Sequence, residues 1–334
     1  MNYLTSIRPV GLTFCAIAMG CSLAFGIWTQ VNGKHRVVVA SQPFFLRLIC
    51  IGCFVMATSI IPLSIDDSIA TTDGCSKACM AFPWLLSIGF TTTFAALFSK
   101  TWRLNKVFRN AANMRGVVVK EKDVIFPFAV LMTINSALML SWTLVDPLVW
   151  YRTEPNEYYE SHGYCRAEGN GYIAFLILIA IANASALVLA TIEAFHARNI
   201  ATEFSESTYI LAILVSLLQA VVVGIPLLVI VHDNAVASYF VWSGIIFVVT
   251  MAILGLIFIP KVMVTRATAE PERASRTPSR YSAQATDPDT TKNMTEGLSG
   301  AGAVSEQKPA PEIVIFSTGD GVDSGNRTMM TGKF

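Results

Sequence analysis

Charge is scarce in most of this chain. Charged residues make up 14% of the sequence, and seven stretches that end before Pro260 are almost free of them. Each stretch is about as long as the ~20 residues that a helix needs to cross a lipid bilayer. A soluble helix needs only one apolar stripe, so the lack of charge excludes a soluble fold.

The length of these stretches also excludes a membrane β-barrel, whose strands span only ~10 residues. Backbone groups in lipid must be hydrogen-bonded within a helix or a closed barrel. The sequence therefore predicts an all-α membrane protein, a seven-transmembrane-helix bundle within residues 10–264. The predicted helices are 10–31, 44–65, 78–98, 124–145, 172–194, 209–231 and 236–259.

The distribution of charge predicts how the bundle is oriented. Lys and Arg are concentrated in the first, third and fifth connections and after the last helix, whereas the opposite connections are mainly acidic. Cytoplasmic loops carry the excess of Lys and Arg. We therefore expect residues 1–9 to be a short extracellular N-terminus, with no cleaved signal peptide, and the C-terminus to be cytoplasmic, in a multi-pass protein of the plasma membrane.

Residues 265–334 differ in composition from the rest of the chain. They are rich in Ser, Thr, Pro, Gly and Ala and poor in large apolar residues. Such a segment buries too little apolar surface to offset the entropy of ordering it. We expect a disordered cytoplasmic tail, and its lack of a heptad pattern indicates no coiled coil.

Motifs of common enzymes are absent. The chain has no HExxH, GxSxG or glycine-rich phosphate loop, and its four histidines are scattered over loops on both predicted membrane faces. The seventh predicted helix contains no lysine, which excludes a retinal Schiff base. The sequence predicts neither an enzyme nor a metal site, and no cofactor or nucleic-acid partner.

The seven cysteines fall into two groups. Four lie inside predicted helices, where cysteine behaves as a small apolar residue. Cys75, Cys79 and Cys165 face the predicted exterior, where disulfides form. A Cys79–Cys165 bridge would hold the long loop before the fifth helix over the bundle, with Cys75 as a competing partner or a free thiol.

Short motifs in the seven helices resemble those of the metabotropic GABA-B receptors, in class C of the G-protein-coupled receptors. The likeness runs in order from residue 10 to about residue 265. The motifs are Ser41-Gln-Pro43, Cys79 five residues before Trp84, Phe98-Ser-Lys100-Thr-Trp102, Trp142-Thr-Leu-Val-Asp146-Pro-Leu148, Gly171-Tyr172, residues 194–200 and Phe258-Ile-Pro260-Lys261. His196 and Val262 depart from the family pattern, which has a glutamate and an aromatic residue there.

The resemblance implies a receptor that relays a signal to a heterotrimeric G protein. It also implies the Cys79–Cys165 disulfide, and a homo- or heterodimer with another class C receptor. The Venus-flytrap ligand domain of the family is absent from this sequence, so the resemblance does not imply GABA binding, and no ligand site is assigned.

The same resemblance pairs Lys100, at the inner end of the third helix, with Glu206, just before the sixth, as an ionic lock of the inactive state. The alternative is two independent solvated charges. Arg103, Lys106, Arg109 and Lys261 are the predicted G-protein-facing residues. Attraction of these basic groups to anionic membrane lipid is a second explanation for their charge.

Two other functions remain open. A solute transporter usually carries ionisable groups near the membrane centre, whereas the interior polar residues of this chain are few and neutral, which is more typical of helix-to-helix hydrogen bonds. The chain could also be a non-signalling partner subunit of another receptor.

Overall fold

The computed structural model of the chain describes residues 4–112, 121–152, 163–197, 206–231 and 234–276. This part contains nine helices and one two-stranded sheet. The elements are α1 (Leu4–Val31), α2 (Arg36–Ala40), α3 (Pro43–Thr58), α4 (Ile60–Leu63), α5 (Thr72–Ala112), α6 (Glu121–Val145), β1 (Leu148–Arg152), β2 (Gly163–Ala167), α7 (Gly171–Ala197), α8 (Glu206–Ile230) and α9 (Ala235–Arg276).

Seven helical segments of the described chain are long and apolar enough to span a membrane, which confirms the predicted seven-helix bundle. α3 and α4 together form the second span. They are separated at Ser59, because Pro62 has no N–H to donate to the carbonyl of Thr58. The Ser59 hydroxyl donates instead to the Met56 carbonyl at 2.6 Å.

Two helices are longer than the hydropathy pattern predicted. α5 begins at Thr72 rather than near residue 78, and α9 continues to Arg276, beyond residue 264, where we placed the start of the tail. Hydropathy marks the length of helix inside lipid, whereas the hydrogen-bond ladder can continue into water. Residues 277–334 lie outside the described part, so disorder of the tail stays a prediction.

α3 and α5 make the closest helix pair in the bundle core. A Cβ atom added to Gly52 would lie 2.2 Å from Thr93 Oγ1, and one added to Gly89 would lie 2.4 Å from the Met56 backbone nitrogen. Glycine at both positions therefore permits the two backbones to approach. Around this contact lie the large buried side chains of Leu46, Ile49, Phe94, Leu97 and Phe258.

An antiparallel hairpin of β1 and β2 covers one end of the bundle, and the sequence did not predict it. The register pairs Leu148 with Ala167 and Trp150 with Cys165. The indole of Trp150 lies over Gly163, where an added Cβ would come within 2.1 Å of the ring. We call this end the hairpin end. The opposite end, where Lys100 and Lys261 lie, is the lysine end.

One hydrogen bond crosses between α6 and α7 inside the apolar region. The Asn183 side-chain amide donates to Asn135 Oδ1 at 2.7 Å and to the Ile179 carbonyl at 2.8 Å. Asn135 is buried, so this pair links two helices rather than lining an aqueous path. The observation agrees with the predicted role of the interior polar residues.

Candidate functional site

The hairpin is attached to α5 by a covalent bond and by a hydrogen bond. Cys79 and Cys165 form the predicted disulfide, with a Cα–Cα distance of 5.7 Å. The Trp150 N–H donates to Ser76 Oγ at 3.1 Å. Cys75 is a free cysteine and is buried, which decides between the alternatives that the sequence left open.

Asp146 connects the end of α6 to the start of α7. Its Oδ1 accepts a hydrogen bond from the Gly169 N–H at 3.0 Å, and its Oδ2 accepts one from the Tyr172 N–H at 2.9 Å. Tyr172 is in the first turn of α7, where N–H groups have no partner within the helix and a negative charge is favourable. The motif around Asp146 and the Gly171-Tyr172 motif are therefore two sides of one contact.

A buried ion pair connects α1 to the loop after α4. Arg8 Nη2 lies 2.7 Å from Asp66 Oδ1, and Asp66 is only 1% exposed. Ser68 donates its N–H to the same carboxylate oxygen at 3.1 Å. The Arg8 carbonyl accepts a hydrogen bond from the Tyr239 hydroxyl at 3.2 Å, so α9 joins the cluster. Next in the chain, Asp67 pairs with Arg152 of the hairpin.

The lysine end contains a small cavity of about 30 Å³ between α2, α3, α5, α8 and α9. Its walls are mostly apolar, but the side chains of Lys100 and Lys261 both reach it. Lys100 is 9% exposed and Lys261 is 6% exposed. Since lysine is almost never fully buried unless it is paired, this cavity is the candidate functional site.

The structure places Lys100 beside the first turns of α8. Tyr209 and Ile210 of that helix line the same cavity, and Tyr209 lies about one helical turn after Glu206. Glu206 is the first residue of α8, but its side chain lies outside the described residues. The predicted Lys100–Glu206 lock therefore stays a prediction, with the backbone of its acidic partner close to the lysine.

The predicted G-protein-facing residues occupy different environments. Lys261 lies in the cavity and is buried, rather than on the surface. Arg103, Lys106 and Arg109 lie on the last part of α5, and their side chains are outside the described residues. The structure thus brings Lys261 together with Lys100, which the sequence analysis had assigned to a different role.

Sequence reasoning missed three contributors to these sites: the Asp146 cap, the Arg8–Asp66 pair and the burial of Lys261. A signal existed for Asp146, because an aspartate between a helix end and Pro147 is typical of a turn or cap. No local signal predicts that Arg8 and Asp66 meet. Within the described residues, no group of three His, Cys, Asp or Glu could hold a metal ion.

Comparison with known proteins gives the family. Residues 1–261 match the family model described as the 7 transmembrane sweet-taste receptor of 3 GCPR. The chain belongs to the class C G-protein-coupled receptors. The predicted family and transmembrane domain are thereby confirmed.

Three relatives show the breadth of this class C likeness. The gamma-aminobutyric acid type B receptor subunit 2 of Caenorhabditis elegans is 25% identical over 78% of the chain and 32% of that protein. The metabotropic glutamate receptor-like protein E of Dictyostelium discoideum is 26% identical over 76% of the chain and 30% of that protein. Human gamma-aminobutyric acid type B receptor subunit 2 is 26% identical over 43% of the chain and 16% of that protein. The chain spans about a third of the length of the first two.

Proposed function

We propose that this class C chain is a receptor that relays a signal across the plasma membrane to a heterotrimeric G protein. The observation that carries the proposal is the cavity at the lysine end, where α5, α8 and α9 meet around Lys100 and Lys261. A separation of these three helices would enlarge the cavity toward the cytoplasm. Such an opening is a two-state rearrangement of the kind that a transducer requires.

The proposed orientation puts the hairpin end outside and the lysine end in the cytoplasm. The Cys79–Cys165 disulfide supports it, because disulfides persist in oxidising compartments. The excess of Lys and Arg in the connections at the lysine end supports it independently. The start of α1 is then extracellular, and the end of α9 is cytoplasmic.

The proposed lock pairs the Lys100 ammonium with the Glu206 carboxylate. Lys100 is buried among apolar side chains, and opposite charges attract more strongly there than in water. Tyr209 places the first turn of α8 at the same cavity. Loss of the pair would allow the ends of α5 and α8 to separate, and a coupling of ~1–3 kcal/mol corresponds to a change of roughly 5–150-fold in the equilibrium.

The G-protein contact is proposed to involve Arg103, Lys106 and Arg109 in the inner extension of α5, together with Lys261. α5 runs as a helix to Ala112, well past the apolar span that ends at Trp102. That extension would present its basic residues to a cytosolic partner. Lys261 would become accessible only when the cavity opens, because it is buried in the closed arrangement.

Charge reversal tests this function. The full chain in lipid nanodiscs would be mixed with purified heterotrimeric G proteins, and basal guanine-nucleotide exchange would be measured. We expect Glu206→Lys to raise exchange severalfold, and addition of Lys100→Glu to return it to the original level. Lys77→Glu is the control, because Lys77 is exposed at the hairpin end. Unchanged exchange in Glu206→Lys would refute the lock.

A panel of G-protein subtypes extends the test to the receptor role itself. If no heterotrimer exchanges nucleotide with any variant, transduction by this chain alone is wrong. Co-expression with a class C partner then distinguishes a partner subunit, which would restore exchange in the pair. Dimerisation is part of the proposal, since relatives carry the name receptor subunit.

A further inference from the structure

Two lysine side chains from distant parts of the sequence share the cavity at the lysine end. Lys100 comes from α5 and Lys261 from α9. More than nine-tenths of each residue is buried. The other groups that line the cavity are mostly aliphatic, including Val37, Ile49 and Leu256.

This arrangement favours an anion between the two lysines. A cation loses favourable hydration when it is buried, and two like charges repel more strongly in apolar surroundings than in water. An oxyanion that accepts hydrogen bonds from both ammonium groups offsets both costs, because charge-assisted hydrogen bonds are the strong ones. Both lysines also interact within the chain, so their side chains are partly ordered before any ligand arrives.

The cavity lies near the edge of the predicted membrane span. Lys100 is two residues before the end of the span at Trp102, and Lys261 is six residues before the end of the last span at Ala267. Arg36 and Arg266, both exposed, lie close in sequence to the cavity-lining Val37 and Val264. Basic pockets at this depth between transmembrane helices are suited to lipid head groups.

The size of the cavity limits what can enter it. A volume of about 30 Å³ admits one compact group and excludes an acyl chain. Exposed apolar side chains nearby in the sequence, such as Phe44 and Met263, provide surface for acyl chains outside the cavity. A ligand with a small multivalent oxyanion and an apolar remainder therefore fits both regions.

We propose that Lys100 and Lys261 together bind a phosphate group, of the kind carried by an anionic phospholipid in the adjacent leaflet. Each ammonium donates to a different phosphate oxygen, and the acyl chains stay on the outer surface of the bundle. The binding step needs no G protein. One consequence rests on the proposed function: a bound phosphate competes with Glu206 for Lys100 and so weakens the lock.

The test compares the thermal unfolding temperature of the full chain in nanodiscs of phosphatidylcholine alone and with added phosphatidic acid. We expect phosphatidic acid to raise the Tm of the unmodified chain by several degrees. Lys100→Gln with Lys261→Gln should abolish the increase. Arg266→Gln, at an exposed cation close by in the sequence, should retain it. Equal loss in both variants would show only general surface attraction and would overturn the proposal.

A soluble arm identifies the source of the phosphate. Inorganic phosphate and glycerol phosphate are added to phosphatidylcholine nanodiscs without the acidic lipid. A lysine-dependent increase in Tm with these anions supports the site and shows that a free phosphate is sufficient. An increase with phosphatidic acid alone supports the site with a lipid as its source. No lysine-dependent increase in either arm would overturn the proposal.

A second measurement keeps the proposal testable if the double variant does not fold. Photoactivatable phosphatidic acid, with its reactive group beside the phosphate, is cross-linked to the unmodified chain and the labelled peptides are identified. We expect labelling around Tyr209 and Val264, which line the cavity. Labelling confined to the exposed faces of α6 and α7 would contradict the site.

Discussion

The Asp146 carboxylate holds the N–H of Tyr172 at 2.9 Å, across the hairpin that separates α6 from α7. Its second oxygen takes the Gly169 N–H. An added Cβ at Gly171 would lie 3.3 Å from the same carboxylate, so the glycine makes room for the contact. One side chain thus fixes where α7 begins.

Loss of this cap should destabilise the start of α7. We expect Asp146→Ala to lower the free energy of unfolding by about 1–2 kcal/mol, the upper range for a helix cap. Asp146→Asn should lose less, because one oxygen can still accept a hydrogen bond. The measurements are thermal unfolding in detergent and amide hydrogen exchange over the first turn of α7. Glu168→Ala, an exposed carboxylate close by in the sequence, is the control and should change neither.

Removal of the disulfide should loosen the hairpin. The bridge closes a loop with a sequence separation of 86, and such a constraint contributes typically ~2–4 kcal/mol. The double variant Cys79→Ala, Cys165→Ala should unfold at lower temperature and expose β1 and β2 to hydrogen exchange. Under denaturing, non-reducing conditions, alkylation of the unmodified chain should label five cysteines. Labelling of Cys165 in that experiment would contradict the bridge.

Glycine-to-alanine changes in α3 and α5 should destabilise the bundle. Gly52→Ala and Gly89→Ala each place a methyl group against backbone or Thr93, and overpacking of this kind costs about 1–3 kcal/mol. Gly244→Ala is the matched control, since an added Cβ there meets nothing within 4 Å. Because alanine is a better helix former than glycine, this control should be neutral or slightly stabilising. Equal effects of all three changes would argue against the close approach.

The Arg8–Asp66 pair should matter far more than an exposed pair. Removal of one partner of a buried ion pair costs about 3–5 kcal/mol, because it leaves a buried charge uncompensated. We expect this loss of stability in Arg8→Ala and in Asp66→Ala, measured by denaturant unfolding. Lys77→Ala breaks an ion pair whose two side chains are both 78% exposed and should have no measurable effect. The reversed pair Arg8→Asp, Asp66→Arg should recover part of the loss.

The seven helices could be predicted from the sequence because lipid imposes a simple length and polarity rule on each span. The ends of α5 and α9 could not, since Thr72 and Arg276 lie outside the apolar stretches that carry the signal. The hairpin was missed although its first strand, Leu-Val-Trp-Tyr-Arg, has the apolar and aromatic residues that strands favour. Its pairing depends on a segment far along the chain.

The candidate site was predicted only in part for the same reason. The resemblance placed Lys100 at the inner end of its helix and paired Cys79 with Cys165, and the structure confirms the disulfide. The meeting of Lys100 and Lys261 depends on how α5 and α9 pack. A long-range contact of this kind leaves no periodic trace in either segment.

The glycine contact between α3 and α5 also constrains how this receptor can change shape. A slide of one helix past the other would drive Thr93 or Met56 into the opposing backbone. These two helices therefore behave as a single strut that stays fixed during activation. Motion at the cytoplasmic mouth then falls to α8 and α9, which can swing against the strut without deforming it.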